Sequence, residues 1–248
     1  MFETGCALSF KCGEQVGTGS GILIDTLHGL VVTHGTLVTS VLSDKQMFVL
    51  STDGILQNCF DSWYVDIILQ PSKEPEENKN VKRYQSTVLN TSEISRTIES
   101  KSVLKSNLFL DYSASVISIF ELKRLEKTVS FLMPPEKWEY VEDFTKQEKP
   151  ADQSRFHPLL SCFILLKLHN WKSYSRDLPL LRFSQLEKGD NLEIEATPFG
   201  GLSPEIFLNS RSNGIVSNKA GGVLLMTDAR CVPGSEGGPV FCWHGNKR

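Results

Sequence analysis

Short apolar runs, each cut off by a glycine-bearing turn, occupy both ends of this chain and set the strongest limit on its fold. GTGSGILID at 17–25 runs from a glycine-rich turn into an apolar segment, and GLVVTHGTLV at 29–38 repeats the arrangement. MFVL at 47–50 ends at the turn-former STDG. Towards the other end, LLSCFILLKL, GDNLEIEATPFG, SNGIVSN, GGVLLMTD and GGPVF follow the same rule. Runs this short suit strands of typical length, and frequent Gly, Asn and Pro between them suit tight turns. Many short strands with many turns imply an all-β sandwich or barrel rather than a helical bundle.

The middle of the chain breaks this pattern. PSKEPEENKNVKR at 71–83 and NTSEISRTIESKS at 90–102 are too polar to bury much apolar surface, so an exposed loop is expected there. LFLDYSASVISIF at 108–120 is apolar enough for a strand or a buried helix, and EKWEYVEDFTKQEKPADQSR returns to charge with room for a short helix. Three spans follow: 1–69 as the start of a first barrel, 70–155 as a polar insertion, largely loop, and 156–248 as a second β part. A chain of 248 residues, 40% hydrophobic, has enough apolar side chains to fill such cores.

Charge narrows the function classes. A net charge of −3 argues against a broad nucleic-acid surface, which needs a basic excess. No apolar run is long enough to cross a bilayer, and MFETGCALSFKCGEQ lacks the basic start and apolar core of a secretory signal. The expectation is an intracellular protein with no nucleic-acid and no membrane partner. The six cysteines, at 6, 12, 59, 162, 231 and 242, show no C-x-x-C pair, which suits free thiols. Neither metal nor cofactor is implied, because no Cys/His set has ligand spacing.

The blocks GTGSGILID, GLVVTHGTLV, SCFILLKL, EKGDNLEIEATPFG, NGIVSN and TDARCVPGSEGGPVF stand in an order that resembles the trypsin-like serine proteases of HtrA type. More narrowly, GLVVTHGTLV, TPFGGLSPEIFLNSRSNGIVSN and LLMTDARCVPGSEGG look like the N-terminal half of the peroxisomal leader-peptide-processing protease family. The resemblance implies a trypsin-like double β-barrel. It also implies that catalysis lies in a second half, and that this half is a scaffold, regulator or substrate-holding module. Implied partners are the catalytic half, a second copy, or peroxisomal matrix enzymes. The implied compartment is the peroxisome, although the terminal NKR is not an S-K-L type address, and the cytoplasm is the fallback. A stand-alone pseudo-protease binding module is the alternative. Only CWHGNKR follows Phe241, so the second barrel is expected to be incomplete.

Carried over residue by residue, the resemblance puts Thr36 where the family has its histidine, Cys162 where it has its aspartate, and Glu236 where it has its serine. None of these supplies a base, a fixed acid or a nucleophile in the roles a triad needs. Rivals exist nearby. His34 lies two residues before Thr36, a displacement of roughly 6–7 Å along a strand. Asp111 sits in DYSASVI, which resembles the acid's block, and Ser235 precedes Glu236. Gly234, Glu236 and Gly237 form the oxyanion-type turn in this reading, kept as architecture because its glycines allow the fold-back.

Overall fold

The computed structural model describes residues 2–39, 41–42, 55–56, 63–71, 109–134, 158–175, 178, 180–199 and 203–243. Strands β1 (Phe2–Cys12), β2 (Gln15–Asp25), β3 (Leu30–His34), β4 (Ile55–Leu56), β5 (Tyr64–Pro71), β6 (Leu110–Glu121) and β7 (Cys162–Leu168) form one sheet. Its order is β4-β6-β5-β1-β2-β3-β7, with a further pairing of β6 to β7. That last pairing closes six of the seven strands into an antiparallel barrel and leaves β4 on its outside. Closure removes the unpaired edges that an open sheet would present.

The alternation that makes these segments legible is visible in their burial. Cys6, Leu8 and Phe10 of β1 point inward with Val65, Ile67 and Leu69 of β5 and Ile164, Leu166 and Leu168 of β7, all almost fully buried. Side chains at every second position share one face of a strand, so the intervening Ser9, Lys11 and Asp66 lie on the outer face. In β6 the register slips between Val116 and Ser118. An extra residue of this kind bends a strand and increases its twist. The first half of β6 therefore pairs with β5 and its second half turns across to β7. The span 70–155, expected to be largely loop, thus supplies the strand that closes the barrel. The polar stretches themselves, MFVL at 47–50, Cys59 and EKWEYVEDF lie largely or wholly outside the described residues.

Between β6 and β7 runs a helix absent from the expectations, α1 (Lys123–Leu132), with Val129 buried. Its sequence, KRLEKTVSFL, holds no glycine or proline, and Leu125, Val129 and Leu132 recur at helical spacing. Arg124 Nε donates to the Gly221 carbonyl at 3.2 Å, tying α1 to the second part of the fold.

That second part is a four-stranded sheet in the order β10-β9-β8-β11, built from β8 (Asn191–Ala196), β9 (Ser210–Ala220), β10 (Leu224–Thr227) and β11 (Val240–Trp243). A short helical turn, α2 (Pro204–Phe207), precedes β9. The core here is small, centred on Leu192, Ile194, Val216 and Cys242, and the sheet is open among the described residues. The chain is thus all-β apart from short helices, with one closed barrel and one open sheet. Among the described residues no helix is long and apolar enough to cross a membrane.

Candidate functional site

The turn at 233–238 sits between the barrel and the open sheet, and Ser20 of β2 holds it there. The Ser20 hydroxyl donates to the Gly234 carbonyl at 2.6 Å and accepts from the Thr197 N–H at 2.7 Å. The Ser20 N–H donates to the Glu236 carbonyl at 3.1 Å, and the Thr33 hydroxyl donates to the Ser20 carbonyl at 2.6 Å. From the sheet side, Phe199 N–H donates to Pro233 O at 2.7 Å and Glu195 N–H to Pro239 O at 3.0 Å. Motif reasoning does not single out Ser20. A signal for it exists all the same: a lone hydroxyl between two glycines, in a strand whose other inward positions are apolar.

Two glycines shape the turn, Gly234 at φ +93° and Gly237 at φ +85°. These lie in the region open to glycine and closed to most other residues. Gly237 is also pressed against the barrel. A methyl group on it would stand 2.4 Å from Ser20 O, 2.4 Å from Thr33 Oγ1 and 2.9 Å from His34 N.

At the position between them, the Glu236 side chain folds back. Its carboxylate Oε2 accepts from the Gly234 backbone N–H at 2.8 Å. Ser235 faces away, its N–H donating to Val232 O at 3.0 Å and its hydroxyl accepting from Val232 N–H at 3.4 Å. The one backbone donor that the resemblance assigns to an oxyanion already carries an anion from the same turn.

Across the turn, β3 ends in a 3₁₀ turn over Gly35–Val38 that His34 caps with its own side chain. The Thr36 N–H donates to Nδ1 at 3.4 Å, so Nδ1 is the acceptor of the ring. The Thr36 hydroxyl donates to the same atom at 2.8 Å, and Nε2–H donates to the Leu160 carbonyl at 3.2 Å. Both ring nitrogens are thereby occupied locally. Phe163 packs edge-on against the imidazole, with ring centroids 5.6 Å apart.

Burial holds the His34 pKa below the ordinary histidine value, although the Leu160 carbonyl and the Glu236 carboxylate act the other way. With a folded pKa below the unfolded one, protonation favours the unfolded chain. His34 therefore costs nothing above about pH 6.5 and erodes stability as pH falls below it. We expect the urea midpoint to fall between pH 7.5 and 5.5 by more in the wild type than in His34→Gln. The excess should reach at most about 1.4 kcal/mol per pH unit. Equal falls in both proteins would contradict the burial described.

Cys162 opens β7 and is fully buried. Its thiol donates to Pro158 O at 3.0 Å, and burial, with Glu121 adding to it, pushes its pKa up to about 12. A methyl group on Gly35 would stand 2.7 Å from Cys162 Cβ, so Cys162 and the His34–Thr36 segment are immediate neighbours. Through Gly35 on one side and Gly237 on the other, the structure brings Cys162, Thr36, His34 and Glu236 into one region. Asp111 lies elsewhere. It pairs with Ile68 in β5, nine residues along β6 from Phe120, whose partner Phe163 pairs with His34. That separation is roughly 30 Å of strand.

No family model matches the chain. Over 114 residues, 43% of the chain, it is 40% identical to the peroxisomal leader peptide-processing protease of Mus musculus, covering 19% of that protein. Over 115 residues, again 43% of the chain, it is 40% identical to the protein of that name from Homo sapiens, covering 20% of it. The chain is related in sequence to these proteases. It spans about a fifth of the length of the curated relatives it matches. A crystal structure of Deg5 matches at 14% identity with a TM-score of 0.46, covering 96% of this chain and 74% of that one.

Proposed function

We propose that this chain is a non-catalytic, trypsin-like half, or shortened form, of a peroxisomal serine endopeptidase. In that role it holds or positions polypeptides, or steadies the catalytic half, during processing of imported matrix proteins. The observation that carries the reading is the Glu236 carboxylate on the Gly234 N–H at 2.8 Å. An oxyanion hole works by offering free donors where negative charge develops. Here the donor is taken, and a second negative charge beside it would be repelled. A free base is also lacking at the site, because His34 spends Nδ1 on Thr36 and Nε2 on Leu160.

The peroxisomal assignment rests on the names of the relatives, and the partners expected are the catalytic half, a second copy, or peroxisomal matrix enzymes.

The test is a fluorophosphonate probe, which labels only a serine activated by a neighbouring base. The purified chain is expected to stay unlabelled beside a labelled trypsin control, and stoichiometric labelling at any serine overturns the reading.

A further inference from the structure

Asp111 is left without a role by the site above, and its surroundings suggest one. The outer face of the barrel carries a groove of about 670 Å³ running across β2, β1, β5 and β6. The register sets its floor: Lys11 lies opposite Val16, and Ile68 lies opposite Asp111. Asp66, two residues before Ile68, faces the same way, and its carboxylate is held by Lys11 Nζ at 2.8 Å. Among the described residues no cation pairs with Asp111, which leaves the groove with one carboxylate in excess.

One wall comes from the open sheet. Phe199 stands over the groove, 47% exposed, with its backbone at φ +60°. A bulky side chain in the left-handed region is an outlier, and such residues persist only where surrounding bonds enforce them. Here the enforcement is visible. Phe199 N–H is fixed to Pro233 O at 2.7 Å, and its ring packs on Phe207 with centroids 5.2 Å apart. The result is an aromatic face held in place above an acidic floor, with Val16 and Ile68 as apolar sides.

We propose that this groove receives an arginine side chain from an extended segment of a partner polypeptide. A guanidinium is planar, so it stacks on an aromatic face while its fork of N–H groups reaches a carboxylate. Phe199 and Asp111 supply those two features, and the (CH₂)₃ stem lies along Val16 and Ile68. The barrel is closed at this face, so no free strand edge competes for the segment's backbone and recognition rests on the side chain. The acidic excess disfavours phosphate-bearing partners such as nucleic acid or an anionic lipid surface. The proposal is independent of whether the turn at 233–238 is catalytic.

The test is fluorescence anisotropy on the full chain, with a fluorescein-labelled peptide bearing a single central arginine and a twin bearing citrulline. Citrulline keeps shape and hydrogen bonding but loses the charge. The arginine peptide is expected to bind saturably, and the citrulline peptide at least about tenfold more weakly, the scale of one charge-assisted bond. Asp111→Asn should lose about the same factor. Phe199→Gly should weaken binding while Tm stays level or rises, because glycine relieves the backbone at this φ. The proposal is overturned by no saturable binding, by equal affinity for both peptides, by stronger binding of an aspartate-bearing peptide, or by an unchanged Asp111→Asn. A Phe199→Gly protein that binds fully overturns the stacking wall.

Discussion

Replacing Gly237 with alanine is expected to lower the stability of the folded chain by about 3 kcal/mol. Two costs add. An alanine at φ +85° pays roughly 1–2 kcal/mol for the left-handed backbone. Its methyl group would also stand 2.4 Å from Ser20 O and Thr33 Oγ1, atoms fixed by the barrel's own hydrogen bonds, and overpacking of this kind costs about 1–3 kcal/mol. For a chain of this size the sum corresponds to a fall in Tm of about 6–12 °C. Gly189 is the control, with φ +90° and nothing within 4 Å of where a methyl group would stand. Gly189→Ala should lose only the backbone part, about 1–2 kcal/mol. Thermal unfolding of the two variants beside the wild type decides the matter. Equal losses would mean that the turn does not lean on β2 and β3 as described.

This expectation bears on why a turn without a serine keeps its glycines. Gly237 is where the open sheet meets the barrel, and Ser20 ties β2 to Gly234, Glu236 and Thr197 at the same place. The turn holds the two parts of the fold together whatever stands at its tip, so its shape persists where its chemistry has changed.

Much of this fold is legible in the residues alone. GTGSGILID, GLVVTH, CFILLKL, NLEIEA, SNGIVSN, LLMT and GGPVF all fall on strands, because glycine turns and apolar alternation are local signals. The cysteines described are free, in keeping with the lack of paired spacing. Three things are not legible, for different physical reasons. The closure of the barrel by β6 depends on a register slip near Ile117, a property of pairing across the sheet that no local pattern displays. Helix α1 does carry an i, i+4, i+7 apolar pattern, but in a charged stretch its weak hydrophobicity is outweighed by the polarity around it. The fold-back of Glu236 onto Gly234 is a rotamer choice, and sequence specifies only the residue type. The same limit hides the pairing of His34 with Thr36, which turns two candidate site residues into partners of each other.

Restoring the serine alone should give no enzyme. Glu236→Ser frees the Gly234 N–H and supplies a hydroxyl, yet the base is still engaged: His34 has Thr36 on Nδ1 and Leu160 on Nε2. Members of a triad act as a unit, and losing one costs nearly as much as losing all, roughly 10⁶ in turnover. Hydrolysis of a peptide ester by Glu236→Ser is therefore expected to be indistinguishable from buffer. The triple change, Thr36→His with Cys162→Asp and Glu236→Ser, meets a second obstacle. Cys162 is fully buried, its thiol bonded to Pro158 O, and Glu121 is close enough to push its proton affinity up. An aspartate placed there would meet a carbonyl oxygen and a like charge without water to offset either. It would stay protonated or destabilise the fold by several kcal/mol. A neutral acid cannot steady an imidazolium, so the triple variant should be feeble even where it folds. The informative measurement is ester turnover by the single and triple variants beside their unfolding midpoints. Robust turnover by Glu236→Ser alone would show that His34 leaves Thr36 and serves as a base, and the proposed non-catalytic role would fall with it.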